Sequence, residues 1–137
     1  MAAPIDVLRQ VSLFAELDDR ALEQLAGQMH ERRFREGGDV TSEGAGGAGF
    51  FVVAEGNADV TIGGEHRASI GPGDFFGEIA LIDTTGKRTA SIVAATDLLC
   101  YGLTPWEFRP FVEEHPKVAW ALLQTLAKRL REAQSSQ

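Results

Sequence analysis

The stretch Phe50-Phe51-Val52-Val53-Ala54-Glu55-Gly56-Asn57-Ala58-Asp59-Val60-Thr61-Ile62 decides the fold class. Two short runs rich in β-branched and aromatic residues flank Glu55-Gly56-Asn57, whose Gly and Asn tolerate positive φ, so the pattern predicts a β-hairpin. Working outward, Gly63-Gly64 predicts a second hairpin turn into residues 66–70, and Gly71-Pro72-Gly73-Asp74 predicts another turn. Residues 89–94 and 98–103 complete a set of short β-like runs between positions 34 and 103. Strands this short, at this spacing, predict an antiparallel sandwich or barrel and not a βαβ sheet.

Helical patterns lie on both sides. Residues 5–30 read as helical: Asp18 is placed to cap a segment whose Leu22, Leu25 and Met29 fall at i, i+3 and i+7, and residues 5–10 form a first turn or two. Downstream, Thr104-Pro105-Trp106-Glu107 is a capping box with proline at the first helical position. A second proline start at Pro116 precedes Val118, Leu122, Leu126 and Leu130, a stripe at i, i+4 that Ala119, Leu123 and Ala127 widen. That stripe either packs on the barrel or pairs with a second subunit, because both uses demand the same residues. The tail Gln134-Ser135-Ser136-Gln137 has nothing to bury and is expected to fray. The expected layout is one domain over residues 1–137, with N-terminal helices (5–30), a β-barrel (31–103) and C-terminal helices (104–133).

The 137 residues suffice for one core without metal or disulfide staples. A formal net charge of −7 disfavours unspecific binding to nucleic acid or to an anionic membrane. Cys100, the only cysteine, has no partner for an internal disulfide and suits a reducing compartment. No apolar run approaches the roughly 20 residues of a membrane span, and the N-terminus lacks the basic and apolar regions of a signal peptide. The expectation is a cytoplasmic protein.

Two stretches imitate nucleotide-binding loops without their context. Gly44-Ala45-Gly46-Gly47-Ala48-Gly49 spells G-x-G-x-x-G, but a strand pattern follows it where a helix N-terminus should meet the pyrophosphate. It is read as a strand-to-strand loop. Gly86-Lys87-Arg88-Thr89 carries Arg88 where a P-loop needs Ser or Thr, and Leu81 where it needs Gly. His30, His66, His115 and Cys100 match no metal-ligand spacing, and no serine sits in a G-x-S-x-G setting. The chain is expected not to be an enzyme and to use no metal or cofactor.

The segment with chemical content is Phe75-Phe76-Gly77-Glu78-Ile79-Ala80-Leu81-Ile82-Asp83-Thr84-Thr85-Gly86-Lys87-Arg88-Thr89-Ala90. Gly77 stands where a turn ends and a short helical turn can begin, a place that favours a residue without Cβ. The backbone N–H groups of Ile79, Ala80 and Leu81 would be the open donors of that turn, an arrangement that attracts anions. Ala80 is small enough to let an anion approach the backbone. Arg88 offers a planar fork suited to the free oxygens of a phosphodiester. Glu78, an acceptor-only carboxylate, would be repulsive beside a phosphate unless it bound hydroxyls, which a ribose supplies. These groups suit a nucleotide whose phosphate lies close to its sugar; alternatively, Glu78 and Arg88 pair with each other.

This segment resembles the phosphate-binding cassette of the cyclic nucleotide-binding domain family: F-G-E, an aliphatic residue, A-L, a short loop, then R, a small residue and A. Phe76, Gly77, Glu78, Ile79, Ala80, Leu81, Arg88, Thr89 and Ala90 all match. The resemblance extends to Val11-Ser12-Leu13-Phe14 and its following helix, to residues 54–60 as the family's glycine hairpin, and to residues 71–76 as its approach to the cassette. It implies a mainly β fold, a jelly-roll barrel (double-stranded β-helix) with N-terminal helices and C-terminal lid helices. It also implies a regulatory sensor in which Glu78 accepts from the ribose 2′-hydroxyl, Arg88 and the Ala80 region hold the cyclic phosphate, Thr89 lies beside it, and the C-terminal helix covers the base. The residue before the arginine departs from the family's frequent Pro or Gln; Lys87 either helps the phosphate or sits in solvent. The ligand implied is cyclic AMP, with cyclic GMP the alternative that the Thr89 hydroxyl keeps open. The family's switch, a swing of the C-terminal helices on phosphate capture, would here move residues 104–114 and 116–133. The readings that follow are a stand-alone sensor acting through a partner protein or a homodimer, a regulatory piece of a longer transcription factor, transporter or enzyme, or an interaction module without ligand. Lys128, Arg129 and Arg131 are read as cations that suit the last turn of a helix, so direct nucleic-acid binding is not expected.

Overall fold

The structure, a computed structural model, describes residues 4–41, 50–77 and 91–135. Helix α1 (Ile5–Arg9), a 3₁₀ turn (Ser12–Phe14) and α2 (Asp19–Gln28) lead into β1 (His30–Phe34), β2 (Asp39–Thr41), β3 (Phe50–Glu55), β4 (Ala58–Ile62), β5 (Glu65–Ile70), β6 (Phe75–Phe76), β7 (Ser91–Ala94) and β8 (Leu98–Leu103). Helices α3 (Pro105–Glu114) and α4 (Pro116–Ser135) follow. The strands form two antiparallel four-stranded sheets, ordered β1-β8-β3-β6 and β2-β7-β4-β5. This is the expected mainly β fold with flanking helices and the two sheets of a jelly roll. Among the described residues no ladder joins one sheet to the other to close the barrel.

The alternation of side chains explains the long apolar runs. In β3, Phe50 and Val52 face the helices while Phe51 and Val53 face the second sheet; in β8, Leu99, Tyr101 and Leu103 face the helices while Leu98 and Cys100 face the second sheet. These two central strands are therefore covered on both sides and carry apolar residues at consecutive positions. Burial pushes the Cys100 thiol up to about 12, so it stays protonated and behaves as a small apolar side chain. By contrast, β1 lies at a sheet edge and reads His-Glu-Arg-Arg-Phe. Its charges suit a strand that must not recruit another. That composition hides it from sequence reading: the helical pattern extends to residue 30 and the β-like runs begin at 34.

The N-terminal expectations hold in outline. The Asp18 carboxylate accepts from the Ala21 N–H at 2.9 Å, and Leu22, Leu25 and Met29 are buried, although Met29 has already left the helix with extended backbone. At the other end, Glu107 accepts from both the backbone N–H (3.1 Å) and the hydroxyl (2.7 Å) of Thr104. Burial alone would raise the Glu107 pKa, but these two bonds and the His30 ring outweigh it and hold the carboxyl below its usual range. Helix α4 runs on through Ser135, so the start of the predicted frayed tail is helical.

The hairpin predicted at Glu55-Gly56-Asn57 is corrected. Strands β3 and β4 do not pair; they belong to opposite sheets, and the turn is a corner between them. Gly56 has φ +87°, and a Cβ there would lie 2.1 Å from the Asp97 carbonyl oxygen. Asn57 receives Ala95 N–H (2.9 Å) and Thr96 N–H (3.3 Å) on its carbonyl, and its own N–H donates to Thr96 Oγ1 at 3.0 Å. Residues 95–97 are the β7–β8 corner, so two sheet crossings are pressed together. Local glycine chemistry is the same in a hairpin and in such a corner. The Gly63-Gly64 turn, with φ of 61° and 79°, is a true hairpin between β4 and β5, as predicted.

We expect Gly56→Ala to destabilise the protein by about 1–3 kcal/mol from the backbone conformation alone, with a further loss from the contact with Asp97. Urea unfolding of the two proteins checks this, and equal midpoints would contradict the corner.

Candidate ligand-binding site

The strand that leads into residues 78–90 is only two residues long, yet it is held on both sides. In β6, Phe76 stands opposite Phe51 and Phe75 opposite Val52 of β3. Phe76 points between the sheets and stacks on Phe51, with ring centroids 5.2 Å apart and planes 23° apart. Space for the Phe51 ring exists because Gly102 of β8 lies against it; a Cβ on Gly102 would fall 2.5 Å from Phe51 Cε1. Gly77 then turns the chain with φ +86°, a conformation that favours glycine. The chain is described again at Ser91, opposite Thr61 in the other sheet. Gly77 thus follows a strand of one sheet, and Ser91 opens a strand of the other. The strand ends Thr41, Phe50, Phe76 and Ser91 lie at the opposite end of the sandwich from the corners at 56–57 and 95–97.

The preceding turn anchors this strand from below. Asp74 N–H donates to the Gly71 carbonyl at 3.0 Å, and the Asp74 carboxylate accepts from Gly71 N–H at 2.9 Å. Val53 N–H donates to the Asp74 carbonyl and Gly73 N–H to that of Val53, at 2.9 and 3.0 Å.

Phe75 faces the helices. Its ring lies 5.6 Å from Phe50, which in turn lies 6.0 Å from Phe108 of α3 and 6.1 Å from Phe14 of the 3₁₀ turn. The Arg129 guanidinium of α4 also lies over the Phe75 ring, 5.3 Å from its centroid and within cation–π range. Burial lowers the Arg129 pKa, while Glu132 and Asp74 act in the opposite direction. Arg129 remains a cation at any physiological pH.

Of the residues singled out from sequence, the structure describes Phe76 and Gly77 and brings them together at the end of β6. Glu78, Ile79, Ala80, Leu81, Arg88, Thr89 and Ala90 lie outside the described residues, as does the loop 44–49. The description of Lys128, Arg129 and Arg131 as last-turn cations is corrected, because α4 continues to Ser135 and its last turn holds no basic residue. Arg129 and Phe75 were not read together from sequence. The only signal was an adjacent pair of phenylalanines on a short strand, which alternation must send to opposite faces. The stripe on α4 also divides: Val118 and Leu122 are buried and Leu126 packs on the same core, whereas Leu130 is exposed. Among the described residues no cluster of metal-ligating side chains occurs, and no helix is long and apolar enough to cross a membrane.

Comparison with known proteins agrees with this frame. The family profile of the cyclic nucleotide-binding domain matches residues 31–115, and the chain belongs to that family. It is 28% identical over 131 residues to the CRP-like cAMP-activated global transcriptional regulator of Mycobacterium tuberculosis, an alignment covering 92% of this chain and 58% of that protein. Its fold is similar to the N-terminal domain of a transcriptional regulator from Streptomyces coelicolor A3(2), with a TM-score of 0.77, 34% identity, and coverage of 93% of this chain and 94% of that one. It is also similar to the Thermus thermophilus catabolite activator protein, with a TM-score of 0.83, 32% identity, and coverage of 91% and 61%. The chain therefore spans less than two thirds of the length of the curated regulator it matches.

The Gly102 contact gives a test of how β6 is held. We expect Gly102→Ala to displace the Phe51 ring and cost about 1–3 kcal/mol, the usual range for overpacking a core. Thermal unfolding measures the loss, and a change in the aromatic near-ultraviolet circular dichroism should accompany it; an unchanged spectrum and midpoint would contradict the packing.

Proposed function

We propose that the chain is a cyclic-nucleotide sensor whose ligand is cyclic AMP and whose output passes through its C-terminal helices. The observation that carries this reading is the end of β6: a stacked phenylalanine followed by a glycine at φ +86°, at the point where the sequence enters the cassette pattern from Phe76 to Ala90. In this reading Glu78 accepts from the ribose 2′-hydroxyl. The N–H groups of Ile79, Ala80 and Leu81 together with Arg88 hold the cyclic phosphate, a charge-assisted set of bonds, with Thr89 beside it. The ligand is bound and released without covalent chemistry, so the protein acts as a regulator and not as an enzyme. Cyclic AMP is favoured over cyclic GMP by the cAMP-activated regulator among the relatives. A reducing, cytoplasmic setting is favoured by the single cysteine, Cys100, which has no partner for an internal disulfide.

Calorimetric titration with cyclic AMP and cyclic GMP tests the reading. Wild type is expected to bind cyclic AMP more tightly, and Arg88→Ala to lose roughly 2–5 kcal/mol, the range for removing one partner of a buried charged pair. Equal binding by the two proteins would remove Arg88 as the phosphate anchor, and tighter cyclic GMP binding would reverse the ligand assignment.

A homodimer through α4 is the favoured quaternary arrangement. Trp120, Leu123 and Leu130 are 63%, 56% and 61% exposed, and with Ala127 they recur at i, i+3, i+7 and i+10. That is the seam spacing of a two-helix coiled coil, and it is distinct from the Val118–Leu122–Leu126 stripe that packs on the core. In sedimentation velocity the wild type should run as a dimer and Leu123→Glu combined with Leu130→Glu as a monomer. A monomeric wild type would refute the seam.

A further inference from the structure

We infer that Arg129 is a positioning residue: by resting its guanidinium on Phe75 it latches the second half of α4 to β6, so that the seating of this helix and the position of the strand end at Gly77 depend on each other. The functional half of this inference rests on the sensor reading above.

The geometry is specific. Helix α4 leaves the core as it proceeds: Val118 and Leu122 are buried, Leu126 is partly buried, and the residues at 127–132, Arg129 included, and at 134 are exposed. Arg129 contacts β6 from within this exposed half, 5.3 Å from the Phe75 centroid. Phe75 is joined through Phe50 to Phe108, so α3 and α4 both bear on one aromatic stack whose outermost member belongs to β6. The residue after Phe75 is stacked on Phe51, and the one after that is Gly77 at φ +86°. The Phe75 ring thus contacts both Phe50 of β3 and Arg129 of α4, which ties β6 to the helix as well as to its sheet. A pre-positioned strand end lowers the ordering cost of binding whatever the following segment holds. Because coupling is reciprocal, a ligand that favours this position of β6 must also favour the seated helix.

The test uses hydrogen exchange and calorimetry on the full chain with cyclic AMP as the probe. In the free protein, Arg129→Gln and Phe75→Leu should each speed amide exchange in residues 124–135. The double variant should exceed neither single one by much, and Arg129→Lys, which keeps the cation, should restore part of the protection. With cyclic AMP, Arg129→Gln should weaken binding by about three- to tenfold, the factor that one partly desolvated cation–π contact corresponds to. Wild-type exchange in Arg129→Gln, or a loss that lysine does not restore at all, overturns the latch. Unchanged affinity together with faster exchange overturns the coupling and leaves the sensor reading intact. A wild type that binds no cyclic nucleotide overturns the sensor reading and the coupling with it, while the exchange data still decide the latch.

Discussion

Because β3 and β8 are covered on both faces, their ladder serves two cores at once. One face supports the helices through Phe50, Val52, Leu99, Tyr101 and Leu103; the other supports the second sheet through Phe51, Val53, Leu98 and Cys100. A slip of one residue in register would exchange the two sets and leave each core with side chains of the wrong size. The pairing Phe51↔Gly102 illustrates the constraint: the only residue without Cβ in β8 stands where the Phe51 ring needs room. That ring then orients Phe76. The end of β6, and so the start of the cassette sequence, is placed by a register set two strands away.

The two ends of the sandwich divide the work. At one end the chain crosses between sheets in tight corners stitched by backbone hydrogen bonds, with Gly56 pressed against Asp97 and the turn at 71–74 bonded to Val53. At the other end lie the strand termini that flank the cassette sequence. Each corner is held by several hydrogen bonds between residues distant in sequence, so displacing one would break several of them at once. The aromatic stack that begins at β6 touches α3 through Phe108 and α4 through Arg129.

Much of this was legible in the sequence. Caps and turns depend on neighbours a few positions apart, so the Asp18 cap, the Thr104–Glu107 box, the Gly63-Gly64 hairpin and the bounds of β8 all emerged from local chemistry. The cassette pattern was equally plain, because it is a run of residue types at short, fixed spacing. Edge strand β1 escaped notice for the converse reason: an edge needs charge more than apolar alternation.

What sequence alone determined, then, was the β-rich class, the flanking helices and the chemistry available to a ligand, since these follow from side-chain type and short spacing. Tertiary structure alone decided which strands share a sheet, which half of the α4 stripe is buried, and that Arg129 meets Phe75. A glycine with positive φ turns the chain equally well within a sheet or between two, and a cation on a helix suits solvent or an aromatic face alike. Only the three-dimensional placement of the rest of the chain selects between such locally equivalent outcomes.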